Sequence, residues 1–296
     1  MKRWANPEGK LTEFRRHPRA GVLHRETAPG GTGYEFDLYS MKGAPTGSSF
    51  EDIFFKPIDG LASVTLDIME RHGAQYPYMM EHRRAWSTFV VSLLTRCPED
   101  IQTFRRHWHA VVMSNSPDNH EEYARLRRDG DPDSLDEYMQ RLPPEMVESS
   151  MFETLTDIIS SQPIGQDLSS LNWTILTAPV GARELLTSDR PILWSDDFGS
   201  ARGHMIMPIG PRKLLIAARD PMFATRLRDS CGVEELIGLC NIDIVQGAAK
   251  FVYATNRNQH RFISNRLGVA PAVRHMDRAI NARIHRRADP QAPAGS

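Results

Sequence analysis

Between residues 59 and 165 the apolar side chains recur every three or four positions, whereas between 170 and 255 they come in short runs cut by Gly and Pro. This change of period limits the fold more than any other feature of the chain. A spacing near 3.6 lays apolar residues along one stripe of a helix, and short runs bounded by turn residues read as strands. Asp59 caps a predicted helix that runs to about His72, with Gly73 as its stop. Met79, Trp86, Phe89, Val90, Leu93 and Leu94 form the next helical face. Pro98 opens another helix, with Glu99 and Asp100 at its positive end and Ile101, Phe104, Trp108, Val111 and Val112 inward. A short charged helix follows within 115–133, and Pro143 and Pro144 start one with Met151, Leu155 and Ile159 on its inner side.

Beyond Gly165, strands are predicted at 173–178, 184–187, 192–194, 205–207, 214–217 and 251–254, with helices at 233–247 and 258–266. Residues 9–14 alternate apolar and polar and predict a short entry strand. Pro18, Pro29 and the Gly30–Gly33 run mark an irregular segment that precedes residues 34–39. Sequential short strands with turn-length gaps favour antiparallel pairing. The expected fold class is therefore α+β, with a helical N-terminal half after a short β-like entry and a strand-rich C-terminal half. One domain over 1–268 is expected, followed by a basic amphipathic helix at 269–288 and a disordered tail at 289–296.

With 296 residues, 40% of them hydrophobic and 25% charged, the chain can bury a substantial core. No apolar run approaches the roughly 20 residues of a membrane span, and the N-terminus lacks the apolar stretch of a secretory signal. Cys97, Cys231 and Cys240 are odd in number and scattered, which reads as reduced thiols in a cytoplasm. The net charge of −1 is uneven. Residues 1–25 carry seven Lys or Arg against two Glu, and residues 250–296 carry nine against two Asp. Basic ends on an acidic body suit nucleic acid or an anionic surface. No aromatic or Gly pattern accompanies them, so packing against the acidic body is the simpler expectation, and nucleic acid is not favoured as a partner. Val273, Met276, Ile280 and Ile284 at helical spacing extend the same choice to the C-terminus.

A series of short features runs in order along the C-terminal half. Trp173 lies in a predicted strand, and Ser188, Asp189 and Pro191 form a Ser-Asp-x-Pro turn. Pro208 and Pro211 bracket a hairpin, Asn241 sits on a late helix, and Val252 and Tyr253 lie in the last strand. Upstream are Leu38, Tyr39 and Ser40, then Arg96 followed by Pro98. Together these resemble the bacterial domain-of-unknown-function family 4238 over roughly residues 4–266. The resemblance implies the fold sketched above and no particular activity. It also implies a His-rich N-terminal segment, which is missing ahead of Met1.

Five residues are candidates for a site: Arg96, Ser188, Asp189, His204 and Asn241. Asp189 falls at a strand end where the chain turns, a frequent position for functional carboxylates. Ser and Asp side chains also bond nearby amides and build turns, which is the more ordinary role. Asn241 suits the capping of a loop. Arg96 ends an apolar helix, where it reaches a ligand or satisfies carbonyls. A nuclease arrangement needs two acids beside a lysine. Asp189 and Lys213 supply two members, but residue 211 is Pro where the second acid belongs. Asp196, Asp197 and His204 offer oxygen and nitrogen ligands for a divalent metal, although loop aspartates are usually solvated. His107 and His109 are two residues apart, about 200° around a helix, and do not share a face. HExxH, paired CxxC, Walker, GxSxG and GxGxxG motifs are absent from the sequence. No cofactor is assigned. The favoured reading is a non-catalytic binding or regulatory protein, and the alternative is a hydrolase-like enzyme centred on Asp189, acting on nucleic acid among other substrates.

Overall fold

The computed structural model describes residues 1–33, 51–73, 76–114, 116–195 and 198–268. Residues 34–39 and the segments predicted at 269–288 and 289–296 lie outside the described residues. Among those described, nine α-helices and two four-stranded antiparallel sheets make an α+β fold, with helices mainly in the first half and strands mainly in the second. The chain divides into two compact units: one of 1–36, 58–94 and 161–272, the other of 37–57, 95–160 and 273–296.

The first unit holds both sheets. One contains β1 (Leu11–His17), β2 (Gly21–Thr27), β4 (Thr187–Ser188) and β8 (Phe251–Ala254), in the order β2-β1-β8-β4. The other contains β3 (Asn172–Thr177), β5 (Leu193–Trp194), β6 (His204–Gly210) and β7 (Lys213–Ala218), in the order β3-β7-β6-β5. Pro208 is tolerated within β6 because β5 pairs only with Met205 and Ile206, and the ladder to β7 shifts between Pro208 and Gly210. The unit's helices are α1 (Lys56–His72), α2 (Met80–Thr95), α7 (Gln162–Ser170), α8 (Phe223–Gly247) and α9 (His260–Ser264), with the ends of α1 and α2 passing into the other unit. Gly232 has φ 72° and breaks α8 in two, so the continuous part begins where sequence periodicity places it, at Val233.

The second part of α8 carries the main core. Leu236, Ile237, Cys240, Ile244 and Val245 form one stripe, packed with Phe14, Val252 and Ala254 of the first sheet and with Leu214 and Ile216 of the second. The opposite side of the first sheet is closed by Trp4, Leu11 and Tyr253, and Trp4 donates its indole N–H to the Leu185 carbonyl at 2.7 Å. That side also buries a charge. Glu13, 1% exposed, takes both arms of the Arg25 guanidinium at 3.0 Å from the facing strand and accepts a bond from Thr32. A carboxylate so placed depends on its full set of partners.

The second unit is helical in its described residues: α3 (Pro98–Ser114), α4 (Ser116–Leu126), α5 (Leu135–Arg141) and α6 (Pro144–Ile159). Ile101, Phe104 and Trp108 of α3 and Met151, Phe152, Leu155 and Ile159 of α6 are among its buried apolar residues. Ser134 caps α5 through the Glu137 amide at 3.2 Å, and Arg105 pairs with Glu148 at 2.8 Å.

Several expectations need correction. The strand predicted at 184–187 is reduced to Thr187–Ser188, because the Glu184 carbonyl and Leu186 amide bond the Asn241 side chain and the Leu185 amide donates to the Pro211 carbonyl in the turn after β6. The segment after Pro18, read as irregular, contains β2. The helix predicted at 258–266 is a 3-10 turn, Arg257–Gln259, followed by the five residues of α9.

Burial also sets a pH dependence. Desolvation in the core pushes the Cys240 thiol up to about 12, and the neighbouring Asp243 acts in the same direction. Tyr78, whose hydroxyl donates to the Gly73 carbonyl at 2.6 Å, is likewise pushed up to about 12, mainly by burial. Both groups titrate earlier in the unfolded chain, near 9 and 10. Stability is therefore intact below those values and falls as pH rises towards about 12. Urea midpoints measured from about pH 8 to about pH 11 should decline, and Cys240→Ala should flatten part of the decline. An unchanged midpoint over that range would contradict the burial of both groups.

Candidate functional site

Asp189 follows β4 directly, and its carboxylate is engaged by the chain between α8 and β8. Oδ1 accepts the Ala249 amide at 2.9 Å, and Oδ2 accepts those of Lys250 at 2.7 Å and Phe251 at 2.9 Å. The Asp189 amide in turn donates to the Phe251 carbonyl at 3.2 Å. Three backbone N–H groups on one carboxylate form a charge-assisted clamp. Ser188 accepts the Arg190 amide at 3.1 Å and shapes the turn beside it. The Ser-Asp-x-Pro motif thus builds a turn, as its residue types suggest. Asp189, however, secures a loop 60 residues away.

Asn241 performs a related task five residues earlier. Fully buried in the apolar stripe of α8, it accepts the Leu186 amide at 2.8 Å and donates to the Glu184 carbonyl at 2.9 Å. One side-chain amide therefore replaces the strand partner that residues 184–186 lack. The Glu184 carbonyl accepts a second bond from Gln259 at 3.0 Å, and Thr255 donates to the Glu184 carboxylate. Asn241 and Asp189 hold the two ends of the 184–189 segment, one to α8 and the other to the loop that leaves α8.

His204 is elsewhere, on β6 of the second sheet. Its ring stacks on Phe223 with centroids 4.2 Å apart, and Nδ1 lies 2.9 Å from the Arg202 carbonyl. Asp196 and Asp197 lie outside the described residues. No group of three His, Cys, Asp or Glu among the described residues is arranged to hold a metal ion. Lys213 donates to Thr177 across the β3–β7 ladder at 2.8 Å. Arg96, in the second unit, lies over the Phe55 ring at 5.5 Å.

Three of the N-terminal cations are engaged within the first unit. Arg3 bonds Asp67 and Glu70, Arg25 bonds Glu13, and Arg16 donates to the carbonyls of Leu267 and Gly268. Of these, Arg3 is paired with acids from the middle of the chain, whereas Glu13, the partner of Arg25, is a buried acid of the N-terminal segment itself.

A cleft that no motif announces opens at the edge of the first sheet. It has a volume of about 590 Å³ and is lined by Thr12, His24, Arg25 and Glu26 from β1 and β2 and by residues 256–258 from the turn after β8. The alternation of β1 and β2 places Thr12, His24 and Glu26 on one face, with Thr12 directly opposite Glu26. Asn256 accepts the Asn258 amide at 2.9 Å and shapes the turn, and among the described residues the Arg257 and Asn258 side chains make no hydrogen bond or ion pair. Behind the cleft, His24 meets His260 edge to face at 5.0 Å. The available sequence signal is the polar run from Thr255 to His260 directly after a strand, a density of hydrogen-bonding side chains that a helix prediction obscures.

No curated protein and no solved structure matches the chain. A family described as "Protein of unknown function (DUF4238)" matches residues 1–258, a span that takes in both sheets, the Asp189 and Asn241 clamps and the cleft. The chain belongs to this family.

Proposed function

We propose that this protein is a non-catalytic binding or regulatory protein whose ligand enters the cleft between β1, β2 and the 256–258 turn. One contrast carries the reading. The side chains on which a hydrolase would depend, Asp189 and Asn241, are occupied by backbone groups. Those of Thr12, Glu26, Arg257 and Asn258 line an open cleft and make no side-chain hydrogen bond or ion pair among the described residues. A concave site with a few unspent polar groups is where a small molecule finds partners. The scattered cysteines support a bacterial cytoplasm as its location.

Ligand-observed NMR against a metabolite panel tests the assignment. At least one compound should bind, with affinity reduced by Arg257→Gln or Glu26→Gln and retained in Asp189→Asn. Binding indifferent to both cleft substitutions would contradict it. So would ester or phosphodiester hydrolysis that disappears in a folded Asp189→Asn protein.

A further inference from the structure

The cleft carries two opposite charges that do not neutralise each other. Glu26 and Arg257 both line it, and among the described residues neither forms an ion pair or hydrogen bond through its side chain. Arg25 also reaches the cleft, but its charge is already matched by the buried carboxylate of Glu13. The unmatched charges are thus one carboxylate and one guanidinium. Thr12, a residue only 2% exposed, and Asn258 also line the cleft and bring a hydroxyl and an amide to its wall.

We infer, building on the binding role proposed above, that the cleft takes a small zwitterion of the α-amino-acid type. Arg257 receives the carboxylate in a planar, two-bond geometry that suits a guanidinium. Glu26 receives the ammonium group. Thr12 and Asn258 bond the polar atoms between or beside them. Single-charge ligands fit less well for a simple reason. An anion such as phosphate meets Glu26 as a like charge, and a simple amine meets Arg257 in the same way. A zwitterion satisfies both walls at once. No large apolar wall is available, so the favoured amino acids have small or polar side chains.

Isothermal titration on the full chain, with glycine, L-serine and L-glutamine as probes, tests the assignment. Acetate, methylammonium and inorganic phosphate serve as single-charge controls. The proposal predicts saturable binding of at least one amino acid and none of comparable strength for the controls. Arg257→Gln and Glu26→Gln should each weaken binding about two- to fivefold, as expected for one exposed charge contact. Thr12→Val should weaken it too. Both charge substitutions lie on exposed side chains, so a far-ultraviolet spectrum and urea midpoint like those of the wild type confirm that the fold is kept. If no amino acid binds, the zwitterion assignment is wrong. If phosphate or another single-charge compound binds and Arg257→Gln weakens it, the cleft is still the binding site and only the ligand class fails. If the amino acids bind with no change in any cleft variant, both the assignment and the location fail.

Discussion

Replacing Asp189 with Ala should destabilise the protein by about 3 kcal/mol, once the solvent screening of a half-exposed carboxylate is allowed for. The size follows from the number of amides lost. Ala249, Lys250 and Phe251 all donate to this carboxylate, and the last two share one oxygen. Hydrogen bonds to an ionised acceptor contribute about 1.5–3 kcal/mol each before screening. Alanine leaves all three donors to water or to nothing, at the point where α8 ends and β8 begins. β8 lies between β1 and β4 in the first sheet, so a loosened start to this strand affects both neighbours. Asp189→Asn should fall between Ala and wild type, because an amide oxygen keeps part of the acceptor set while its NH₂ faces a donor. Urea unfolding monitored by circular dichroism gives these values, and a loss below about 0.5 kcal/mol for Asp189→Ala would show that the clamp is not needed.

Asn241→Leu should cost more, about 4 kcal/mol. Leucine is close in volume, so the effect is not that of a cavity. It arises because the buried Leu186 amide loses its acceptor and the Glu184 carbonyl loses one of its two donors. An unsatisfied buried polar group costs about 1–3 kcal/mol, and this substitution creates one orphan and weakens a second group amid the largest apolar cluster. Asn241→Asp should also destabilise, since it retains the acceptor but removes the donor and introduces a charge with no cationic partner. A leucine variant as stable as wild type would contradict this account. It would mean that residues 184–186 find other partners without difficulty.

The same residues explain how far the sequence can be read. Helical stretches with strong periodicity, such as α3 and α6, are set by local spacing and begin at the prolines that mark them. β3, β6 and β7 carry enough apolar residues, bounded by turns, to be seen locally. β2 is different. Its residues are almost all exposed because it is an edge strand paired only with β1, so no buried face imposes an alternating pattern. The β1–β8 pairing joins chain segments about 240 residues apart, and no local signal encodes it. Asp189 and Asn241 were recognisable as unusual residues, but their roles depend on backbone groups at 249–251 and 184–186. A side chain's partners across such distances are set by the packing of α8 against the sheet. The cleft was hidden for the same reason, since its walls come from β1, β2 and a turn after β8.

Amide hydrogen exchange read residue by residue is the most direct test of the claim that Asp189 and Asn241 build the scaffold. In the wild-type protein the amides of Leu186, Ala249, Lys250 and Phe251 should exchange slowly. Asp189→Ala should release the last three and leave Leu186 protected, whereas Asn241→Leu should release Leu186 first. Rapid exchange at 249–251 in the wild type, unchanged by Asp189→Ala, would contradict the account and return Asp189 to the list of groups free for chemistry.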